Sequence, residues 1–208
     1  MKKKLINYWK KHYKFKPELI KAFEQIPREE FIFEEHKKQA YSDVPLSLIS
    51  GQTISQPTTI MIMTSALEVK KGQKILEIGT GSGYQAALLS KLVGQKGKII
   101  TTEILHELVL FAKLNVHKIN GKNIEIIHTD GSQGYKKEAP YDRIIVTAAS
   151  PKIPKKLLNQ LKPNGILIAP IGPSYCQEML KIKKRKESLD IENLGDFVFV
   201  PLKGEEGY

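Results

Sequence analysis

Hydrophobic and polar positions alternate along this chain in two rhythms, one helical and one suited to buried strands. From Pro17 onward, Leu19, Ile20, Phe23 and Ile26 share one helical face and the proline suits a first turn, so residues 17 to 26 are expected to form a helix. A stretch rich in turn formers, Ser42 to Gln56, leads to Pro57. A second helical stripe then runs through Ile60, Met61, Met63, Thr64, Leu67 and Val69, with its methionines read as core filler. From Gly72 short apolar runs take over: Lys74 to Ile78, Lys98 to Thr102, Asn123 to His128, Asp142 to Thr147 and Gly165 to Pro170 read as strands. Tyr84 to Val93, Leu105 to Ile119 and Pro154 to Leu161 read as helices between some of them.

Near-continuous apolar strands separated by helices imply a sheet buried on both faces. The fold class is therefore α/β: a doubly wound, mostly parallel seven-stranded sheet with helices on both faces. The connection between Pro170 and the next candidate strand, Gln177 to Lys183, is too short for a parallel crossover, so a hairpin and an antiparallel strand are expected near the C-terminus. A last strand is expected at Phe197 to Leu202. No internal repeat or long linker divides the chain. Residues 1–208 are taken as one domain, with 1–56 an N-terminal helical and loop layer and 57–208 the core and its C-terminal strands.

Composition changes this picture little. Of 208 residues, 41% are hydrophobic and 26% charged, as in a globular domain, and no apolar run approaches the ~18 residues of a membrane span. The basic N-terminus lacks an apolar segment of export type, and Cys176 is the only cysteine, so no internal disulfide forms and a reducing cytoplasm is the expected setting. The net charge of +11 raises the question of nucleic acid. The lysines are scattered, however, and no aromatic-interleaved RNA-binding motif accompanies them, so a solvated lysine-rich surface is expected and no nucleic-acid partner. Neither a membrane nor a metal is expected, since the five histidines lack ligand spacing. A monomer is expected because no dimerisation element is apparent.

The chemistry concentrates at strand ends. Glu77-Ile78-Gly79-Thr80-Gly81-Ser82-Gly83 sits where the first core strand meets its helix, a place where glycines let a backbone approach a ligand and the helix offers free N–H groups. The spacing departs from the dinucleotide pattern G-x-G-x-x-G, and no Gly-Lys-Ser/Thr follows for a nucleoside triphosphate. Glu103 ends the second core strand, where a carboxylate can accept from both ribose hydroxyls, and Asp130-Gly131 ends the third, placed for an adenine edge; the bland alternatives are a surface glutamate and an Asx turn. This series, with Tyr141-Asp142-Arg143-Ile144-Ile145-Val146, resembles the Rossmann-like methyltransferases that use S-adenosylmethionine, whose sulfonium and ammonium suit the carboxylates. The resemblance implies methyl transfer, with Glu77, Gly79, Thr80, Gly81, Ser82, Gly83, Glu103, Asp130 and Gly131 at the cofactor.

A second motif, Gly51-Gln52-Thr53-Ile54-Ser55-Gln56-Pro57, narrows the class. Taken with Pro27-Arg28-Glu29-Glu30-Phe31, Val146-Thr147-Ala148-Ala149, Gln160-Leu161-Lys162-Pro163-Asn164-Gly165 and Phe199-Val200-Pro201-Leu202, it resembles the protein-L-isoaspartate O-methyltransferase family over about residues 17 to 202. From the residues alone, Ser55 is equally a hydroxyl serving the following helix N-terminus; a hydrolytic nucleophile is a poor reading without a G-x-S-x-G elbow. The resemblance implies that Ser55 is catalytic, that Thr53, Ile54 and Gln56 shape the acceptor pocket, and that the partners are isoaspartyl-containing proteins and peptides. Departures are modest: Ser47-Leu48-Ile49-Ser50 stands where Pro-Ile-Gly is common, and Thr58 where an aromatic or histidine is frequent. The rival readings are an RNA methyltransferase, disfavoured by Thr147-Ala148-Ala149-Ser150 in place of an Asn/Asp-Pro-Pro-aromatic motif, and a non-catalytic binder of the cofactor.

Overall fold

A computed structural model describes residues 1–208. Helices α1 (Lys2–His12) and α2 (Pro17–Gln25) are followed by a short ribbon, β1 (Leu46–Ser47) and β2 (Thr53–Ile54), and by α3 (Pro57–Ala66). The core then runs β3 (Lys74–Ile78), α4 (Tyr84–Val93), β4 (Lys98–Glu103), α5 (His106–Lys118), β5 (Ile124–His128), β6 (Tyr141–Val146), α6 (Lys155–Gln160), β7 (Leu161–Ile171), β8 (Gln177–Lys184) and β9 (Leu189–Phe197). Seven strands form one sheet in the order β5-β4-β3-β6-β7-β8-β9, parallel from β5 to β7, with β8 antiparallel to both its neighbours. The chain winds outward from β3 through β4 and β5, then resumes on the other side of β3 with β6. The β3–β6 boundary is thus the switch point beyond whose strand ends such sheets bind ligands.

Period-two alternation sorts the strand residues between two apolar layers. Leu76, Ile78, Ile144 and Val146 pack with Leu157 and Leu158 of α6, while Ile75 and Ile145 pack with Met63, Ala86 and Leu89 of α3 and α4. Glu77 shares the parity of Ile75, which places a carboxylate on an apolar face, in register with Thr101 and Ile145. The N-terminal layer forms a further core: Trp9, Phe23 and Phe31 are fully buried against Tyr84 and Leu88 of α4. Helix α3 lies between these layers, with Met61 in one and Met63 in the other, and is buried nearly all round.

One expected boundary moves. The last strand is Leu189–Phe197 instead of Phe197 to Leu202. β9 has a neighbour on one side only and is mostly exposed; its apolar residues are interrupted by Asp190, Glu192, Asn193, Gly195 and Asp196, so it shows no continuous apolar run. The apolar residues after it serve another purpose. Residues 198–202 leave the sheet edge and return across the strand ends, where Ala149 N–H donates to the Val200 carbonyl and Leu202 N–H to the Ala149 carbonyl, both at 2.8 Å.

Candidate functional site

A cavity lies beyond the carboxyl ends of β3, β4 and β6, where ligands of such sheets bind, with about 880 Å³ of space including its open mouth. Its floor is the turn between β3 and α4. Gly79 has φ +92°, and a Cβ there would stand 2.5 Å from Thr147 Oγ1, a hydroxyl that donates to the Gly79 carbonyl at 2.7 Å. Gly83 has φ +85°, and a Cβ there would press on Val116 of α5 at 3.1 Å. Both positions therefore require glycine by conformation and by space.

Two carboxylates face this cavity in opposite circumstances. Glu103 is held by backbone: Oε2 accepts from Gly81 N–H at 3.0 Å, and Oε1 from Ile104 and Leu105 N–H at 2.9 and 3.0 Å. A carboxylate so engaged retains acceptor capacity for a further donor, and at 7% exposure Glu103 is not the surface glutamate of the bland alternative. Glu77 is fully buried, and neither of its oxygens finds a hydrogen-bond partner within the protein. Burial pushes its carboxyl up to about 8; the nearby Thr101 hydroxyl pulls the other way and the charge of Glu103 adds to the rise. An orphaned buried acid in a ligand-sized cavity is matched by a cationic group with N–H donors, such as an ammonium.

The opposite wall is β2 and the residues around it. Thr53, Ile54 and Ser55 line the cavity, and Gln56 lies in an adjoining groove that shares Thr53 and Ser55. The competing role for Ser55, capping the helix that follows, is taken by another residue. Asp43 Oδ1 accepts from Thr58 N–H at 2.8 Å and its Oδ2 from the Thr58 hydroxyl at 2.6 Å, while Trp9 Nε1 donates to the same hydroxyl at 2.8 Å. Thr58, one of the departures from the family pattern, thus belongs to a buried network joining α1 to α3. Ser55 is anchored through its carbonyl, which accepts from Arg28 Nη2 at 2.8 Å.

Of the candidate residues, Thr53, Ile54, Ser55, Glu77, Gly79, Thr80, Gly81, Ser82, Glu103 and Gly131 line one cavity. Gly83 does not line it and serves as N-cap of α4. Asp130 also lies outside the lining. Its Oδ1 accepts from Ser132 N–H and its Oδ2 from Glu205 N–H, both at 2.9 Å, the Asx-turn geometry extended to the C-terminal segment. Burial works against its charge, but these donors and Lys156 hold the carboxyl below its ordinary value. The structure adds wall residues that the sequence did not single out for the site: Tyr84, Gln85 and Thr147, and the returning segment 200–203. Only the apolar content of Phe199-Val200-Pro201-Leu202 hinted at the last of these.

A doubly wound sheet with a glycine turn at β3 and carboxylates at the ends of β3 and β4 is the Rossmann-like methyltransferase architecture. The family model for protein-L-isoaspartate(D-aspartate) O-methyltransferase matches residues 1–207, and the chain belongs to that family. A protein-L-isoaspartate O-methyltransferase of Methanosarcina mazei is 44% identical over 191 residues, covering 91% of this chain and 78% of its own. One from Pyrococcus horikoshii is 46% identical over 190 residues, covering 90% and 86%. Among solved structures, a protein-L-isoaspartate O-methyltransferase superposes with TM-score 0.91 at 32% identity, over all of this chain and 67% of the other. A Plasmodium falciparum structure carrying that name, in complex with S-adenosyl-L-homocysteine, superposes with TM-score 0.84 at 27% identity over 97% of each chain.

Proposed function

We propose that this protein transfers a methyl group from S-adenosylmethionine to the free α-carboxylate of L-isoaspartyl residues in damaged proteins and peptides. The observation that carries this reading is a single cavity walled on one side by Glu77, Gly79–Ser82 and Glu103 and on the other by Thr53–Ser55. Family membership supports the donor and the acceptor class.

When bound, S-adenosylmethionine supplies an electrophilic methyl carbon whose bond to sulfur breaks as the acceptor oxygen takes it. Glu103 accepts from the ribose hydroxyls, and Glu77 receives the ammonium, which returns its raised carboxyl to the charged form. Gly131 lets its turn pack directly on Thr102 at the adenine side, since a Cβ there would meet Thr102 Oγ1 at 2.2 Å. Asp130 fixes that turn from behind.

An acceptor carboxylate, with a reference pKa of roughly 4, is ionised at neutral pH and attacks without losing a proton. The site therefore needs no strong base. Its task is to align oxygen, methyl carbon and sulfur at near-attack distance and to keep water off the nucleophile. Ser55 orients the carboxylate through its hydroxyl while its own carbonyl is fixed by Arg28. The product ester has a better leaving group than the acid. The neighbouring backbone nitrogen then closes a succinimide and expels methanol, and hydrolysis of the ring returns some normal aspartate.

The test supplies methyl-labelled S-adenosylmethionine with an isoaspartyl peptide, its aspartyl twin and RNA. Base-labile label on the isoaspartyl peptide alone is the expected result. Label on RNA would establish the rival acceptor, and donor binding without transfer would show a non-catalytic protein.

A further inference from the structure

Two arginines are buried in this protein, and they are treated differently. Arg143 spends its guanidinium on the end of α3, donating to the carbonyls of Leu67 and Glu68 and to that of Asp142. Arg28, in the 3-10 turn Arg28–Phe31, is fully buried and makes one bond, from Nη2 to the Ser55 carbonyl; its Nε and Nη1 find no partner in the protein. The guanidinium lies over the ring of Tyr84, 5.2 Å from its centroid, and Tyr84 itself lines the cavity with a buried, unpartnered hydroxyl. Burial lowers the Arg28 pKa to about 10, against the pull of Tyr84, Tyr41 and Asp43, so it is charged at neutral pH. Asp43 is the one carboxylate whose charge acts on it, and both Asp43 oxygens are committed to Thr58.

A buried charge without an ion pair is strongly unfavourable, and elsewhere in proteins such charges are paired. Its stacking on Tyr84 offsets part of that burden and fixes the plane of the guanidinium. The remaining positive potential falls on the stretch of backbone that carries Ser55, in a low-dielectric setting where it is weakly screened. An anion arriving beside Ser55 supplies the missing negative charge.

We propose that Arg28 is a positioning residue for the acceptor: it fixes Ser55 through the backbone carbonyl, and its unpaired charge favours a carboxylate over a neutral group at that place. This rests on the isoaspartyl carboxylate being the acceptor. A neutral group in the same pocket would gain the alignment without the attraction, so the protein should distinguish an α-carboxylate from its carboxamide by charge as well as by shape.

The test uses the full chain, an isoaspartyl peptide as substrate and the same peptide with an α-carboxamide as competitive inhibitor. Arg28→Met keeps the length of the side chain and removes the charge. Loss of the charge together with the bond to the Ser55 carbonyl is expected to raise KM for the carboxylate about tenfold and the inhibition constant of the carboxamide only about twofold, so that their ratio shifts. Affinity for S-adenosylhomocysteine, read by calorimetry, is expected to stay within about twofold because Arg28 does not line the cavity. An unchanged ratio of KM to carboxamide inhibition constant, or an equal loss of donor affinity, would overturn the proposal and leave Arg28 a packing residue. Arg28→Lys supplies a second reading if the methionine variant does not fold. The lysine keeps the charge and loses the planar fork, so the carboxylate preference should survive while kcat falls about fivefold; a lost preference or an unchanged kcat contradicts the proposal. If the unsubstituted protein methylates no isoaspartyl peptide, the acceptor reading fails and this proposal with it. Transfer by the unsubstituted protein with preference intact in the methionine variant overturns this proposal alone.

Discussion

The two walls of the cavity are built on different principles. The wall formed by β3, β4 and their turns comes from two strands adjacent in the sheet: Gly81 N–H meets Glu103, two further N–H groups close on the same carboxylate, and Gly79 packs on Thr147 where no side chain fits. The opposite wall is assembled from distant pieces. Ser55 is held by Arg28, the helix after it is capped by Asp43, Thr58 is tied to Trp9, and the segment 200–203 arrives from the far edge of the sheet. Under the proposed function the first wall takes a donor that is the same in every turnover, and the second an acceptor presented by many different polypeptides.

The sharpest way to break this division is Ser55→Ala. With orientation of the acceptor lost and the donor cradle intact, kcat is expected to fall about 100-fold while donor affinity changes less than about twofold; single-turnover kinetics with calorimetry of S-adenosylhomocysteine checks both. Glu103→Ala should give the reverse. Removing a charge-assisted acceptor for ribose, and the support of the Gly81 turn, is expected to weaken donor binding about 30-fold.

Glu77→Gln sharpens the account further, because the raised Glu77 carboxyl ties stability to pH. The unfolded chain releases the Glu77 proton near 4.5 and the folded chain holds it to about 8, so stability is lost as pH rises through that window. The glutamine variant without ligand should therefore show a flatter denaturation midpoint from pH 4.5 to 8. It should also bind the donor about tenfold more weakly. The smallest effect is expected at Asp130→Asn. Since Asp130 holds Ser132 and Glu205 and does not line the cavity, donor affinity should stay within about twofold and the melting temperature should fall by about 3 °C.

What the chain revealed in advance follows the same division. The wall of β3 and β4 was legible because its signals are contiguous: apolar strands, a glycine turn, and carboxylates at strand ends where polar residues have a purpose. Helix α1 was not, since only Ile6 and Trp9 of its residues are buried and lysines surround them. The exposed edge strand β9 lacks a continuous apolar run, and the apolar residues after it suggested a strand where they in fact form a cavity wall. The burial of Arg28 depends on α4 and the Ser55 loop meeting in space, which no spacing encodes. Asp130, an acid at a strand end with the address expected of a ligand group, accepts from Ser132 and from the C-terminal segment, a pairing across 75 residues that no local pattern announces.

The central claim is that one cavity seats a methyl donor on Glu77 and Glu103 with an isoaspartyl carboxylate at Ser55. A crystal structure with S-adenosylhomocysteine and an isoaspartyl peptide tests it directly. The ribose is predicted on Glu103, the homocysteine ammonium on Glu77, and a peptide carboxylate oxygen about 2.7 Å from Ser55 Oγ and facing the sulfur. A nucleoside bound away from these carboxylates, or a peptide carboxylate seated out of reach of both Ser55 and the sulfur, would contradict it.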